Sequence, residues 1–453
     1  MQILKIYFRS PARTTIIGFA FFILIGTCIL MLPQATRIGR LGFINALFTA
    51  TSAVCVTGLT VVDTGTTFSL FGQFVLIVLI QTGGLGIMTI STLFLMIAGR
   101  RLSFSEQDVI QNTLTYTDKK DLPSVLKKVV FFTFAIEGLG VLLLLFCFYP
   151  NNEVPRALYL SVFHSISAFC NAGFSLFPDS FTFYQDNWVL NLTICFLVIT
   201  GGIGFLVLSE LKLRFSFKHR FWSRLSLHSK LVLLSTSCLL FVGTITIFLM
   251  EGNNTLIQLS MPHRILSSFF QAVNSRTSGF NTMPLGNMAN ETLFVLIILM
   301  FVGASPGSCG GGIKTTTFMT LILLGISRFK GQKRPQIFNR SISERSIGKA
   351  VSVLFISTIV VCIGITILLM TELGDVSHQQ SRGKFLELFF EVVSAVGTVG
   401  FTTGITANLS TMGKMIITCL MFVGRLGPLI VVIAFSRSIT LNYFYAEEDI
   451  MIG

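Results

Sequence analysis

Charged residues are scarce in this chain. Asp, Glu, Lys and Arg make up 12% of its 453 residues, whereas hydrophobic residues make up 52%, and the mean hydropathy is +0.78. An ordinary soluble domain has about twice that share of charge, ~25%. The composition therefore excludes a water-soluble globular protein and predicts one that crosses a membrane several times.

Motifs for metal or thiol chemistry are also missing. The nine cysteines have no CxxC spacing, and we interpret them as small packing residues, with neither zinc nor disulfides indicated. The five histidines show no HExxH or similar spacing, so His164 is expected to be hydrogen-bonded and not metal-bound. No cluster of His, Asp, Cys or Ser suggests a catalytic site. We therefore predict no enzyme and no cofactor bound to this chain.

Eight apolar runs are long enough to cross about 30 Å of hydrocarbon. They cover residues 15–32, 71–98, 129–148, 188–208, 231–250, 292–324, 351–370 and 415–435. The first run could also be a cleaved signal peptide, but the first of the repeats described next would then lose a helix that the others keep. The sequence predicts an all-α polytopic membrane protein with eight transmembrane spans.

A pattern around one glycine recurs between the two runs of each pair. Each copy has Phe ten residues before the glycine, a small or polar middle, and Leu or Phe directly after it; the copies are 48–58, 163–173, 269–279 and 390–400. Segments this short and apolar are expected to dip into the membrane and return. The chain then divides into four helix/pore-loop/helix repeats, 1–99, 100–210, 211–327 and 328–453, in pseudo-fourfold arrangement around one central ion pore.

Basic residues concentrate near the N-terminus and in three of the loops between runs. These stretches hold 22 of the 33 Lys and Arg residues. They are Lys5, Arg9 and Arg13; Arg100, Arg101, Lys119, Lys120, Lys127 and Lys128; Lys212, Arg214, Lys218, Arg220, Arg224 and Lys230; and Arg328, Lys330, Lys333, Arg334, Arg340, Arg345 and Lys349. The positive-inside rule makes these loops and both termini cytoplasmic, so the glycine segments enter from outside. The net charge of +13 thus indicates topology and not nucleic-acid binding.

The last three residues of each copy, here called the four glycine loops, form the predicted selectivity filter. They are Val56, Thr57 and Gly58; Asn171, Ala172 and Gly173; Thr277, Ser278 and Gly279; and Thr398, Val399 and Gly400. Glycine permits the positive φ that turns carbonyls toward an axis, and rings of carbonyls hold partly dehydrated cations. The preceding helices aim their negative ends at the same place. The alternative is glycines used only for helix packing, which their common register in four copies disfavours.

Residues 303–312, here called the Gly-rich segment, interrupt the sixth apolar run. The segment consists of Gly303, Ala304, Ser305, Pro306, Gly307, Ser308, Cys309, Gly310, Gly311 and Gly312. Its composition excludes a continuous helix, so its backbone polar groups are expected to face water below the filter. The segment nearly matches the phosphate-binding pattern GxxxxGK[ST], but Ile313 stands where the lysine is required and no strand precedes it.

The fourfold plan, with CVTGL, CNAGF, RTSGFN and GTVGF around the four glycines, resembles the Trk/Ktr/HKT superfamily of potassium transporters over essentially the whole chain. Within it, the start directly at the first repeat and the short tail 443–453 resemble KtrB more than TrkH. The resemblance implies K⁺ as the transported ion, a homodimeric pore subunit in the cell membrane, and a cytosolic nucleotide-binding RCK ring of the KtrA type as partner. It also makes the Gly-rich segment a mobile gate.

Arg425 lies within the last apolar run, where a lone cation is costly enough to suggest function. The superfamily has an arginine here that faces the gating loop, so Arg425 is assigned to the gate. The alternative is a structural ion pair with Glu137 or Glu391. Arg276, three residues before Gly279, is expected to point behind the filter and brace it.

Three further interpretations stay open at this point. Residues 83–86 and 201–204 are expected to be helix-packing sites without a long break, the alternative being a role near the inner cavity. A secondary transporter with alternating access is disfavoured, because inverted repeats are not visible. Within the superfamily, the alternative is a sodium-coupled or sodium-permeable transporter of the TrkH or HKT type. Gly58 argues against a sodium-selective member, since those members have serine at this position. The basic loops are expected to dock an acidic cytosolic ring, or only to set topology and contact anionic lipid.

Overall fold

The computed structural model describes residues 11–37, 39–86, 122–214, 221–332, 334–374, 376–377, 379–428 and 430–431. Several predicted features lie outside these ranges. They are the second half of the run 71–98, the end of the run 415–435, the tail 443–453, and the basic residues Lys5, Arg9, Arg100, Arg101, Lys119, Lys120, Lys218, Arg220 and Lys333.

The described chain is predominantly helical. The helices are α1 Pro11–Leu30, α2 Phe43–Val54, α3 Thr64–Thr67, α4 Leu70–Leu85, α5 Leu122–Phe148, α6 Val154–Phe169, α7 Trp188–Ile203, α8 Phe205–Arg214, α9 Phe221–Arg224, α10 Leu227–Glu251, α11 Met261–Asn274, α12 Asn290–Phe301, α13 Thr315–Phe329, α14 Glu344–Glu372, α15 Lys384–Gly397 and α16 Thr411–Leu426. One hairpin of two short antiparallel strands, β1 Gln336–Ile337 and β2 Arg340–Ser341, follows α13.

Four helices in the described ranges are long and apolar enough to cross a membrane by length and composition, or five if the bent pair α7 and α8 counts as one span. The four are α1, α5, α10 and α14, which are the first helices of the four predicted repeats. Each has an exposed apolar face, as expected of a surface that meets lipid. The second helices are shorter or bent, so the structure bears out a multi-helical membrane protein and leaves the number of spans as a prediction.

Three of the second helices end inside runs that the sequence analysis expected to be continuous spans. Helices α4, α7 and α16 end at Gly86, Gly204 and Gly427, whose φ angles are +84°, +102° and +85°. At Gly204 the chain turns by 100° into α8. The expectation of an unbroken span over 188–208 is therefore wrong. A positive φ ends an α-helix, and glycine adopts it without the steric cost that other residues bear.

The helix-packing role expected for glycines in the segments 83–86 and 201–204 is confirmed for Gly83 and Gly201. A Cβ on Gly83 would lie 1.9 Å from the carbonyl oxygen of Val54, and one on Gly201 would lie 1.8 Å from that of Phe169. Each of these carbonyls belongs to the last turn of the short helix in the same repeat. Glycine thus lets the second helix contact the backbone of the short helix.

The short helices α2, α6, α11 and α15, here called the loop helices, lead into the four glycine loops. Each packs on the first helix of its own repeat. Each also packs on the second helix of the repeat before it: α6 on α4, α11 on α7, α15 on α12, and α2 on α16. These contacts run through the four repeats in order and return to the first.

The repeated aromatic residues form the core around the loop helices. Phe48, Phe163 and Phe390 are fully buried, and so is the residue after each of the four glycines. In the third repeat Phe269 is only partly buried and its neighbour Phe270 is fully buried. The third repeat therefore departs from the common register, and the same repeat is irregular at its glycine loop.

Candidate functional site: the glycine ring and the segment beneath it

The four glycine loops meet in one closed ring. A Cβ built on Gly58 would lie 2.6 Å from the carbonyl oxygen of Ala172; on Gly173, 2.1 Å from that of Ser278; on Gly279, 2.4 Å from that of Val399; and on Gly400, 2.2 Å from that of Thr57. Each glycine therefore touches the carbonyl that precedes the next glycine, and the fourth contact returns to the first loop. No side chain larger than hydrogen fits at these four positions without moving backbone.

Backbone conformation explains why glycine is needed. The four ring glycines have φ angles of +93°, +69°, +72° and +92° in chain order. Two residues earlier, Val56, Asn171 and Thr398 are also left-handed, with φ of +55°, +59° and +50°. Such angles are uncommon for residues with a side chain and cost energy that the surrounding structure must supply. Three loops thus share one strained geometry.

The strained loops are held by hydrogen bonds back to their own helices. The amide of Thr57 donates to the carbonyl of Ser52 at 2.8 Å, that of Ala172 to Ser167 at 2.7 Å, and that of Val399 to Ser394 at 2.9 Å. Because the N–H groups bond behind the loop, the carbonyls of Thr57, Ala172 and Val399 are left to point toward the neighbouring glycines. This arrangement presents oxygen and not N–H at the ring, as a cation site requires.

The third loop is built differently. Both Ser278 and Gly279 donate their amides to the carbonyl of Asn274, at 3.1 and 3.2 Å, and Thr277 is not left-handed. Instead, the Thr277 hydroxyl donates to the side-chain oxygen of Asn171 at 2.8 Å. In this orientation of its amide, Asn171 also donates from its side-chain nitrogen to the carbonyls of Ala168 and Val198. A side-chain contact from the second loop therefore supports the third.

A cavity of about 630 Å³ lies against the ring. All four ring glycines line it, together with the chain that leaves each loop. Its polar lining includes Asp63 and Asp179, and two carboxylates favour cations near the ring. The cavity gives the ring an opening on the side of the outgoing chain.

The Gly-rich segment lies on the other side of the glycine loops, folded back on itself. The amide of Ala304 donates to Gly311 at 3.2 Å, and that of Thr315 to Ala304 at 3.2 Å. The broken second helix of repeat two also holds it: Ser305 donates to the carbonyl of Gly202 at 3.0 Å, and Cys309 to that of Gly201 at 3.1 Å. The carbonyls freed where α7 ends thus become the anchors of the segment.

The side chain of one residue of the predicted filter also hydrogen-bonds to the segment. The hydroxyl of Thr398 accepts a hydrogen bond from the amide of Gly311 at 3.1 Å, while the backbone of Thr398 forms part of the fourth glycine loop. The sequence analysis placed Thr398 only in the filter. Its second contact joins the ring directly to the Gly-rich segment.

Arg425 lies in the last turn of α16, half-buried. Its guanidinium donates to the carbonyl of Cys309 in the Gly-rich segment and to the carbonyl of Gly83 in α4. Among the described residues no ion pair joins it to Glu137, which accepts from Gln81, or to Glu391. Arg425 therefore links the Gly-rich segment to α4 of the first repeat through hydrogen bonds to both.

Two further cations contact the same segment. Arg276 is buried and donates to the carbonyl of Gly303 at 3.3 Å, so it braces the start of the segment, behind the third loop. Lys314 donates from Nζ to the carbonyl of Gly310 at 2.8 Å. The sequence analysis missed Lys314, although a lysine two residues after a Gly-rich break inside an apolar run is itself a signal.

Comparisons with known proteins identify the family. Residues 4–441 match the family model described as TrkH, cation transport protein. The chain is 41% identical to the Ktr system potassium uptake protein B of Bacillus subtilis, covering 98% of this chain and 97% of the relative. It is 36% identical to the potassium/sodium uptake protein NtpJ of Enterococcus hirae, with the same coverage.

A solved structure has the same fold. The potassium transporter TrkH from Vibrio parahaemolyticus superimposes with a TM-score of 0.75 and 16% sequence identity, over 94% of this chain and 85% of that chain. The resemblance drawn from the residues around the four glycines is confirmed. The chain belongs to the TrkH family of cation transport proteins, a family of membrane transporters in which it is similar to potassium uptake subunits of the Ktr type.

Proposed function

We propose that this chain takes up K⁺ across the cell membrane through the ring formed by its four glycine loops. The observation that carries the proposal is the closed ring, in which each glycine contacts the carbonyl before the next one. Four carbonyls from four loops replace water around a cation, and they select by their number and spacing. The relative named as a potassium uptake protein supports K⁺ as the ion.

The proposed architecture has eight spans in four repeats with both termini in the cytoplasm. The cyclic contacts between loop helices and second helices support a pseudo-fourfold arrangement around the ring. Spans two, four, six and eight then include the second helices α4, α7, α12 and α16, each of which ends near the ring. Interruptions at this depth are tolerated because the freed backbone groups face a water-filled path or other protein.

The Gly-rich segment is the proposed gate. It lies across the path beneath the ring and is held by hydrogen bonds, with little side-chain packing, since half of its ten residues are glycine. Arg425, Arg276 and Lys314 all donate to its carbonyls. These three cations repel K⁺ in the path and hold the segment in place. Their contacts set the barrier to ion passage while the ring sets ion affinity.

Regulation is proposed to come from a cytosolic RCK ring of the KtrA type that binds a nucleotide, acting on a homodimer of this chain. Helix α13 begins at Thr315, three residues after the end of the Gly-rich segment, and leads to the β-hairpin. The hairpin packs on the earlier helices α9 and α10 through Phe338, which lies against Trp222 and beneath the ammonium of Lys230. Movement of this face by an acidic partner would reach the segment through α13.

A second candidate is transport in which Na⁺ also passes or drives uptake. The similarity to a protein named for potassium and sodium uptake favours it. The unequal side chains in the layer before the ring glycines, Thr57, Ala172, Ser278 and Val399, also favour incomplete rejection of Na⁺.

Uptake in cells that lack their own potassium transport tests the proposal. Expression of this chain is expected to restore growth at low K⁺, and rubidium flux in vesicles is expected to follow the K⁺ gradient. Addition of an RCK-type partner is expected to make the flux depend on nucleotide. Flux that requires a Na⁺ gradient would favour the second candidate, and absence of K⁺ or rubidium uptake would contradict both. Full activity that ignores the partner and nucleotide would contradict the regulatory part alone.

A further inference from the structure

Two buried polar residues occupy the same position in two of the four repeats. His164 in α6 and Glu391 in α15 each lie nine residues before their ring glycine, and both are fully buried. The corresponding residues in the first and third repeats are Thr49 and Phe270. Because the ring contacts run in chain order, the repeats with His164 and Glu391 lie opposite each other across the ring.

His164 joins its loop helix to the chain that leaves the ring. Its Nδ1 is 2.8 Å from the carbonyl of Leu160 and therefore donates. Its Nε2 then accepts, from the amide of Leu176 at 3.2 Å and from the hydroxyl of Ser175 at 3.3 Å. Ser175 and Leu176 are the second and third residues after Gly173. The imidazole is thus a neutral bridge across the base of the second glycine loop.

Aromatic side chains hold the imidazole of His164 in place. It stacks on Phe177 with ring centroids 5.0 Å apart and planes within 8°. Phe148, Phe163 and Phe181 contact it at centroid distances of 5.7, 5.6 and 5.1 Å. Four aromatic rings therefore surround the imidazole, in addition to its hydrogen-bond partners. Such close packing restricts the bridge to one orientation.

Glu391 makes the corresponding bridge in the fourth repeat with different chemistry. Its Oε1 accepts from the hydroxyl of Thr406. Thr406 lies 2.8 Å from the hydroxyl of Thr402, the second residue after Gly400. The single hydroxyl proton of Thr406 is donated to the carboxylate of Glu391, so the hydroxyl of Thr402 is the donor in its bond to Thr406. Glu391 therefore reaches the outgoing chain at the same position, two residues past the glycine, through one intervening hydroxyl.

The other two repeats have no such bridge at this position. The hydroxyl of Thr49 donates to the carbonyl of Asn45 within its own helix at 2.8 Å, and Phe270 has no polar side-chain atom. Two opposite loops are thus fastened at their base, whereas the other two are supported elsewhere. The bridge between the loop helix and the chain after the ring glycine is made by His164 in one repeat and by Glu391 in the other. It therefore depends on the position in the repeat and not on one residue type.

We propose that His164 and Glu391 are positioning residues that set the preference for K⁺ over Na⁺. Each ties its loop helix to the chain that leaves the ring glycine and so fixes the carbonyls of Ala172 and Val399 on opposite sides of the ring. The inference rests on the proposed function of the ring. When carbonyls select by number and spacing, release of two opposite oxygens lets the ring adapt to the smaller ion.

The experiment compares the ratio of K⁺ to Na⁺ permeation in vesicles containing the full-length protein. Glu391→Leu, His164→Phe and Thr406→Val each remove one bridge, and each is expected to lower the ratio by about tenfold, the loss that corresponds to one hydrogen bond to a buried charged or polar partner. Glu391→Gln keeps an oxygen for Thr406 and is expected to keep the ratio within about twofold. Thr49→Val is the matched control, with a wild-type ratio expected.

The outcomes separate the bridge from its alternatives. Thr406→Val retains Glu391 and the shape of the side chain, so it tests the bridge even when a variant at Glu391 fails to fold. A wild-type ratio in both His164→Phe and Thr406→Val contradicts the proposal, and so does an equal fall in Thr49→Val or in Glu391→Gln. Absence of K⁺ preference in the unmodified protein would instead contradict the proposed function itself.

Discussion

Replacement of Gly400 by alanine tests the ring closely, because Gly404 supplies a matched control four residues later. Both glycines are left-handed, with φ of +92° and +102°, so alanine adds strain of about 1–2 kcal/mol at either position. A Cβ on Gly400 would lie 2.2 Å from the oxygen of Thr57 and 3.0 Å from the Cα of Gly58, whereas Gly404 has no atom within 4 Å of its Cβ position. The two variants share the strain and differ in the ring contact.

The magnitude follows from that contact. The oxygen of Thr57 has to retreat by about 1 Å before a methyl group fits at ordinary van der Waals distance. Thr57 supplies one of the four ring carbonyls, so its displacement is expected to weaken K⁺ affinity by at least about tenfold, or ~1.4 kcal/mol, and to raise Na⁺ permeation. Gly404→Ala is expected to lower stability while K⁺ affinity stays within about twofold, because no atom lies near its Cβ position and no ring carbonyl has to move.

The assay is rubidium uptake by vesicles that contain equal amounts of each folded variant. The K⁺ concentration that half-inhibits uptake gives affinity, and Na⁺ competition gives selectivity. Gly400→Ser is expected to behave as Gly400→Ala does, with a larger effect because the side chain is larger. If Gly400→Ala and Gly404→Ala changed affinity and selectivity equally, backbone strain alone would explain the effect and the ring reasoning would be refuted.

Three further predictions concern the gate and the packing around it. Arg425→Ala, or deletion within residues 304–311, is expected to raise the maximal uptake rate with little change in K⁺ affinity; a large loss of affinity without a gain in rate would contradict the gate. Thr398→Val removes the acceptor for the Gly311 amide, at a cost of about 1–3 kcal/mol for a buried unpaired group, and is expected to raise the rate in the same assay; an unchanged rate would mean that this bond does not restrain the segment. Gly201→Ala is expected to lower the melting temperature in detergent because its Cβ meets the Phe169 carbonyl, whereas Gly325→Ala, open around its Cβ in α13, is expected to raise stability by about 0.5–1 kcal/mol; equal shifts would contradict the packing account.

The common register of the four glycines was enough to predict that their loops come together. Phe48, Phe163 and Phe390 recur at one spacing and are buried, as repeats of one local structure should be. The sequence also indicated that residues 303–312 are not helical, since five glycines destabilise a helix and Pro306 lacks the N–H that a helix interior needs. That Arg425 contacts this segment agrees with its costly place in an apolar run. The role of these residues in ion selection and gating stays a prediction.

The helix ends at Gly86, Gly204 and Gly427 were not visible in the sequence. A glycine within an apolar run fits both close helix packing and a helix end, and Gly201 serves the first role while Gly204 serves the second. Only the tertiary contacts, in which Ser305 and Cys309 bond to the freed carbonyls, distinguish them. The altered register of the third repeat was hidden for the same reason, because Phe269 and Phe270 are chemically identical.

The contacts of Thr398 and Lys314 show a second limit of prediction from the sequence. Thr398 bonds to a residue 87 positions away in the chain, and no local pattern predicts a pair at that separation. Lys314 was open to sequence reasoning, since an apolar run with a basic residue beside a Gly-rich break is unusual. The bridges at His164 and Glu391 required both kinds of information: the register came from the sequence, and the partners came from the fold.

The most direct test of the ring as a K⁺ site is a crystal structure of the protein with rubidium or thallium in place of potassium. Anomalous scattering locates these ions without reference to any model of transport. The account predicts an ion at the centre of the ring, coordinated by the carbonyls of Thr57, Ala172, Ser278 and Val399. An ordered ion bound elsewhere along the path, with none at the ring under saturating rubidium or thallium, would contradict it.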